Sequence, residues 1–347
     1  MTLSQMGTHP LTVGSVQEAV EVIQRGGLVA FPTETVYGLG ADATNPKAVA
    51  KIFDVKGRPR FDPLIVHVAS VAQARSLWTT CPDIAEKLMK RFWPGPLTLV
   101  LPKNPVVLDL VTAGLPTVAV RMPDHPAVRH LIELAGCPVA APSANRFGRP
   151  SPTTAQAVEE DLGSEVDLIL DDGPTPIGVE STVLAFEDES PILLRPGGIS
   201  LEALTEILGE VRRGQEDSAR PSSPGMLKRH YAPRTPLYLL DESSLRHLLE
   251  VGETVKGKVG LLSFMPVARP SGFSRVEILS PTGDLVEAAS RFFQMLRLLD
   301  GLGLDAIVAT PIPQQGLGLA LMDRLQRASS GRAVVVEGAV RFIGGSL

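Results

Sequence analysis

The sequence predicts a mixed α/β fold: a twisted sheet with flanking helices, joined by a linker to a smaller parallel-sheet α/β domain. Three observations carry this. Apolar strand-like and helix-like runs interleave without strict alternation up to about residue 209. Periodicity stops over 210–234, which is rich in Arg, Ser, Pro and Gly and contains Pro221, Pro224, Gly225 and Pro233, the composition of a linker. Regular alternation then resumes. The 347 residues exceed what one hydrophobic core usually serves. The expected units are therefore residues 1–209, a linker or lid at 210–234, and a small domain at 235–347.

The elements follow in order. Ser15 and Glu18 form a capping box that opens a helix with Val16, Ala19, Val20 and Ile23 on one face. Gly26-Gly27 stop it, and Leu28–Phe31 is a buried strand. Asn45-Pro46 starts the next helix, with Ala48, Val49 and Ile52 as its apolar face. Strands are expected at Leu64–Val68, Leu97–Leu101, Thr117–Val120, Pro138–Ala141, Val166–Leu170, Thr182–Phe186 and Ile192–Leu194. Helices are expected near Val71–Trp78, Pro82–Phe92, Pro126–Ala135 and Thr153–Leu162. Beyond the linker come strands Leu237–Leu240, Val259–Ser263, Val276–Leu279 and Ile307–Ala309. Helices there start at Ser243 and run over Asp284–Leu299 and Gly318–Ala328.

Composition narrows the function. The net charge of −5 and the 5% aromatic content argue against a broad polyanion surface or an array of base-stacking rings. Cys81 and Cys137 are the two cysteines, too few for a disulfide framework or a zinc knuckle, and a cytoplasmic location is expected. The first twenty residues lack the pattern of a signal peptide, and no apolar run nears the roughly 18 residues of a membrane span. The sequence has no P-loop, no glycine-rich dinucleotide motif, no nucleophile elbow and no paired-histidine metal spacing.

Polar runs at strand ends and one in the linker are the candidate chemistry, since ligand sites of α/β proteins gather where strands end. Pro32–Gly40 (PTETVYGLG) offers hydroxyls and a carboxylate. Lys56, Arg58 and Arg60 alternate, and Pro59 and Pro63 stiffen the backbone, so an extended segment would put all three cations on one side. A polyphosphate suits such a row; so does a solvated charged turn. Ser143 and Asn145 follow an apolar strand. Arg121 ends another, and either a substrate carboxylate or a structural acid would satisfy it. Glu180-Ser181 and Arg195-Pro196-Gly197 lie at later strand ends, and the linker holds Lys228-Arg229-His230-Tyr231, a run able to fold back as a lid.

Together these runs resemble the threonylcarbamoyl-AMP synthases in their two-domain form with a YrdC-like catalytic domain. The Lys-x-Arg and Ser-x-Asn patterns are met by Lys56, Arg58, Ser143 and Asn145. PTETVYGLG, GVESTV at Gly178–Val183, RPG at Arg195–Gly197, SPGM…HYAP at Ser223–Pro233 and Gly316-Leu317-Gly318…Arg324-Leu325 are also typical. Asp323 stands where the pattern has Asn. The resemblance spans nearly the whole chain. It implies a nucleotidyltransferase that makes threonylcarbamoyl-adenylate and pyrophosphate from L-threonine, bicarbonate and ATP, with Mg2+ accompanying the ATP. A threonylcarbamoyl-transferase complex would then modify tRNA beside the anticodon, so this chain's own tRNA contact is expected to be indirect or weak. The catalytic set implied is Lys56, Arg58, Ser143 and Asn145. The ATP-binding set adds Arg60, Thr117, Ser151, Arg195, His230 and Tyr231. Thr33, His67, Arg121 and Ser181 are assigned to threonine, and no protein ligand for a metal is assigned. The competing readings are a non-catalytic RNA-binding module using Lys56–Arg60 and a carbamoyl-adenylate enzyme with another acceptor.

Overall fold

The computed structural model describes residues 14–187, 190–214, 227, 229–241, 243–244, 255–267, 272–336 and 339–344. The N-terminal part begins with α1 (Val16–Gln24), whose capping box is formed: the Ser15 hydroxyl accepts from Glu18 N, and Glu18 accepts from Ser15 N. Strand β1 (Val29–Phe31) follows, then β2 (Gly38–Asp42). Helix α2 (Pro46–Lys56) is capped by the Asn45 side chain. After it come β3 (Ile65–His67), α3 (Val71–Ser76), α4 (Asp83–Phe92), β4 (Leu97–Pro102), α5 (Asp109–Thr112) and β5 (Thr117–Arg121). Then α6 (Pro126–Ala135), β6 (Val139–Ala140), α7 (Ala155–Leu162), β7 (Leu168–Ile169), β8 (Thr182–Glu187), β9 (Ser190–Arg195), α8 (Leu201–Leu208) and β10 (Arg212–Arg213) complete the unit.

The strands form one mixed sheet in the order β10-β9-β8-β4-β5-β3-β6-β2-β1-β7. Parallel pairs such as β3 with β5 and β4 with β8 alternate with antiparallel pairs such as β4 with β5 and β3 with β6. One core, including Leu39, Ile52, Leu88, Leu99 and Val120, packs on one side; Ile23, Phe31, Leu131 and Val139 belong to a second. The register sets His67 beside Arg121, so two candidate site residues are sheet neighbours.

Strands β2 and β10, helices α5 and α8, and two strands of the second sheet (Gly331–Val336 and Ala339–Gly344) were not foreseen. In β2, Gly38 and Gly40 read as a turn. The glycines are there for space: a Cβ on Gly40 would stand 2.4 Å from the Phe31 ring and 2.8 Å from Val139, so only hydrogen fits in this antiparallel register. The segment expected to be linker starts inside the sheet, with Arg212 and Arg213 pairing in parallel with Ile192 and Leu193. A two-residue edge strand leaves no periodic signal.

The second sheet has the order β13-β12-β14-β11-β15-β16, built from β11 (Leu237–Leu240), β12 (Val259–Ser263), β13 (Arg275–Ile278), β14 (Ala306–Ala309), β15 (Gly331–Val336) and β16 (Ala339–Gly344). Its first five strands are parallel, and β16 adds an antiparallel edge. The helices α9 (Leu285–Asp300) and α10 (Gly318–Ala328) pack on it. The helix expected from Ser243 falls largely outside the described residues.

The two units share apolar and ionic contacts. Val36 and Val179 of the first join the cluster built on Phe292, Phe293 and Leu321 of the second. Arg297 pairs with Asp161 at 2.5 Å and donates to the Pro150 carbonyl, and Arg149 pairs with Asp300 at 2.7 Å. Gly178 makes the closest approach. It has φ +78°, and a Cβ there would lie 2.2 Å from the Ala289 carbonyl oxygen and 2.5 Å from Ser290 Cα of α9. Gly173 has φ +80° with nothing within 4 Å of such an atom. We therefore expect Gly178→Ala to lower the denaturant midpoint well beyond Gly173→Ala. The control should show only the backbone cost of about 1–3 kcal/mol; equal losses would mean that α9 is not seated on this loop.

Candidate active site

A ring of side chains from eight segments closes around one small cavity. The strand-end loop after β1 supplies Thr33, Thr35 and Val36; the turn after α2 supplies Arg58. His67 comes from β3, Arg121 from β5, Ser143 from the loop after β6, and Glu180 and Ser181 from the loop before β8. Arg195 ends β9, and His230 and Tyr231 enter from the linker. The cavity holds about 50 Å³, far below the roughly 300–1,000 Å³ usual for a ligand pocket. His230 and Tyr231 are both buried and take up part of that space.

The Lys56 segment does not form the extended row expected of it. Lys56 is the last residue of α2, and Gly57 caps the helix in the left-handed conformation, φ +62°. That reversal separates the three cations. Lys56 is buried, and its ammonium donates to the carbonyls of Ser143 at 2.6 Å and Asn145 at 2.5 Å. It braces the backbone of the loop that carries both residues. Burial, reinforced by Arg58, pushes the Lys56 ammonium well below its ordinary range. Arg58 reaches the cavity, held by Asp62 at 2.9 Å and by the Asp62 and Pro63 carbonyls. Arg60 is exposed and takes no part. Thr117 also stands apart: it begins β5, opposite Pro102, roughly 13 Å along the strand from Arg121.

Asn145 and Ser151 stand behind the cavity wall rather than in it. The Asn145 amide donates to the Arg146 and Arg149 carbonyls, at 2.7 and 3.0 Å, which ties the loop into a compact turn. The Ser151 hydroxyl donates to Glu180.

At the other side, Thr33 donates to the Val36 carbonyl at 2.7 Å and meets Thr35 at 2.8 Å. Arg121 donates to Thr35 Oγ1 at 2.9 Å and to the Gly95 carbonyl at 3.3 Å, and pairs with Glu34 at 2.6 Å. The structural acid allowed for Arg121 is thus Glu34, three residues after Phe31. His67 packs edge-on against Phe31. Burial and then Arg121 push its imidazole down to about 3, so it is neutral near pH 7. Ser181 bonds Thr98 at 2.7 Å and accepts from Arg195 at 3.1 Å.

The linker closes the ring. His230 N donates to the Arg327 carbonyl at 3.1 Å, and its imidazole meets Phe147 and Tyr231 edge-on. Burial, with Arg58, Lys56, Arg195 and Arg324 close by, holds His230 well below its usual range. Tyr231 has φ +61°, a left-handed backbone that a bulky residue rarely adopts. The Ser223–Met226 part of the linker motif lies outside the described residues.

Sequence reasoning passed over Glu34, Thr35, Glu180 and Arg324 as site residues. Glu34 and Thr35 lie inside PTETVYGLG and Glu180 inside GVESTV, so the signal was the motif itself; their part is to hold the arginines. Arg324 sits in α10 of the second domain and pairs with Glu180 at 2.9 Å, a contact that no local pattern encodes. Among the described residues no group of three or more His, Cys, Asp or Glu could hold a metal ion, and no helix is long and apolar enough to cross a membrane.

Comparison with known proteins bears on the family of the chain. A family profile described as "Telomere recombination" matches residues 21–197, and one described as "Threonylcarbamoyl-AMP synthase, C-terminal domain" matches residues 199–330. A threonylcarbamoyl-AMP synthase of Bacillus subtilis is 45% identical over 325 residues, spanning 92% of this chain and 94% of the relative. The protein of that name from Pyrococcus abyssi is 45% identical over 334 residues, spanning 92% and 96%. The crystal structure of P. abyssi Sua5 complexed with L-threonine superposes with a TM-score of 0.85 at 43% identity, covering 93% of this chain and 96% of that one. A variant of the same protein with an adjacent His and Tyr replaced by alanine gives a TM-score of 0.82 at 43% identity, covering 90% and 92%. With both profiles matched in sequence order and both domains covered, the chain belongs to the threonylcarbamoyl-AMP synthase family, in its two-domain form.

Proposed function

We propose that this chain joins L-threonine, bicarbonate and ATP into threonylcarbamoyl-adenylate, releasing pyrophosphate, and that a partner transferase then places the threonylcarbamoyl group on tRNA. The observation that carries this reading is that Arg58 and Arg195 line the same cavity as Arg121, Thr33 and His67. Cations suited to phosphates therefore stand beside a polar pocket suited to a small amino acid.

The chemistry matches what the ring lacks as well as what it has. The threonine amine and bicarbonate condense to a carbamate with loss of water, and the carbamate is already an anion. Its oxygen attacks the α-phosphorus, the bond to the β-phosphate oxygen breaks, and pyrophosphate departs. No strong protein base is needed, in keeping with a His67 held neutral by burial. The site's task is to hold two anions together: like charges about 4 Å apart repel by ~4 kcal/mol at an effective dielectric of 20. Arg58 and Arg195 offset this, and Lys56 keeps the Ser143–Asn145 loop in position behind them. Arg121, oriented by Glu34 and Thr35, is the partner for the threonine carboxylate. The carboxylates near the cavity, Glu34 and Glu180, are engaged by Arg121 and Arg324. That donor set fits a Mg2+ carried in on the nucleotide phosphates better than one held by the protein. Entry of a nucleotide requires His230 and Tyr231 to withdraw, which makes the linker a lid. His230-Tyr231 is the one adjacent His-Tyr pair in this sequence.

The reading predicts pyrophosphate release from ATP and Mg2+ that requires L-threonine and bicarbonate together; release indifferent to threonine would refute it. Lys56→Met should cut turnover by about 100-fold or more with the fold retained, because a charge-assisted brace worth roughly 1.5–3 kcal/mol is lost from the loop and positioning errors multiply that effect. Near-normal turnover would remove Lys56 from the mechanism. Arg121→Lys should raise the KM for threonine about tenfold or more while changing that for ATP little, since a carboxylate loses its planar fork. Equal rises would assign Arg121 to the frame of the site instead.

A further inference from the structure

The cavity wall has ionic supports that do not come from the catalytic domain, and one of them reaches two lining residues. Arg324 lies on α10 and is the largest side chain in the fully buried set, at 0% exposure. Its Nε donates to Glu180 Oε2 at 2.9 Å, and Nη1 pairs with Asp323 at 2.6 Å. Its guanidinium lies over the Tyr231 ring, 5.1 Å from the centroid. The other Glu180 oxygen accepts from Ser151. One guanidinium therefore touches the lid ring and the acid that fixes the loop between residues 143 and 151. The same loop is gripped from α9 by Arg297 at Pro150 and Asp300 at Arg149.

Such placement goes beyond what docking two domains requires. A buried ion pair is an inefficient glue, because desolvation cancels much of its attraction. What it supplies is geometry: two groups held in a fixed fork. Here Nε and Nη1 engage Glu180 and Asp323 while the guanidinium face rests on the Tyr231 ring, so two lining residues of the cavity, Glu180 and Tyr231, are set by one side chain. We propose that Arg324 is a positioning residue of the nucleotide side of the site, so that the second domain completes the active centre through Glu180, Ser151 and Tyr231. The proposal rests on the synthase reading above and assigns the second domain a part in it.

Glu180 gives the proposal a distinctive readout. Burial pushes its carboxyl up, but Arg324, Arg195 and the Ser151 hydroxyl outweigh this and hold it below the ordinary carboxylate range. The groups facing it come from four segments: Arg324 on α10, Arg195 on β9, Ser151 on its loop, and Tyr231 on the linker. Removing Arg324 leaves burial opposed by Arg195 and Ser151, so Glu180 protonates at higher pH.

The test compares the full-length chain with Arg324→Met, which keeps the bulk and loses the fork. Binding of ATP with Mg2+ and of L-threonine is measured by calorimetry, and pyrophosphate release is followed against pH. ATP should bind about tenfold or more weakly, the effect of losing one charge-assisted contact, with threonine binding within about twofold. The acid-side fall in kcat/KM for ATP should move to higher pH, and adding Glu180→Gln to Arg324→Met should abolish that move. A folded variant that keeps ATP affinity, or that loses ATP and threonine affinity equally, overturns the proposal. If Arg324→Met does not fold, Arg324→Lys keeps the charge without the fork and the same split is read on it. A native chain that binds ATP yet releases no threonine-dependent pyrophosphate would bring down the synthase reading instead, leaving the ATP affinity ratio to decide this one.

Discussion

The site is organised around the cost of burying positive charge. Lys56, Arg58, Arg195 and Arg324 are all buried, at 2, 7, 5 and 0% exposure. An unpaired charge in such surroundings is several kcal/mol unfavourable, so each needs a partner the fold can place accurately. Arg58 has Asp62, Arg324 has Glu180 and Asp323, Arg195 has the Ser181 carbonyl and hydroxyl, and Lys56 has two backbone carbonyls. Much of the irregular backbone serves these pairings. The left-handed Gly57 turn reverses the chain after α2, where Asp62 meets Arg58, and the loop after β6 presents the Ser143 and Asn145 carbonyls to Lys56.

The same requirement explains why two sheets meet where they do. The loop Gly178–Thr182 runs between the catalytic cavity and α9, with Val179 in the apolar cluster of the second domain and Glu180 turned toward Arg324. A glycine at 178 lets the backbone approach α9 closely. Apolar contact there holds the domains together, and the ionic contact beside it sets angle and register. The cavity wall is thus finished by residues more than 140 positions away in sequence.

Most of the fold was legible because it is written locally. The Ser15–Glu18 box, the Asn45-Pro46 start and the alternating runs at Leu97 and Thr182 specify their elements through neighbours within a few residues. Strand β2 was not legible, since its glycines are selected by Phe31 and Val139 across the sheet and carry no strand propensity of their own. The site shows the same division. The motifs located Thr33, Arg58, His67, Arg121, Ser143, Ser181, Arg195, His230 and Tyr231, and the structure brings these to one cavity. Arg60 lies outside that cavity because alternation puts residues on a shared face only if the backbone is extended, and Gly57 reverses it. Glu34, Glu180 and Arg324 escaped because a counter-ion is defined by what it meets in space, and two of the three sit in motifs whose hydroxyls drew the attention.

The backbone of Tyr231 has a further consequence. A tyrosine held at φ +61° stores roughly 1–3 kcal/mol, which surrounding contacts must sustain. On the lid reading proposed above, withdrawal of Tyr231 would return that energy, favouring the open form by between about fivefold and 150-fold relative to an unstrained hinge. The closed arrangement is in this sense a loaded spring. It can be tight without being permanent, and a glycine in that place would make a lid that shuts more readily and yields the catalytic space more slowly.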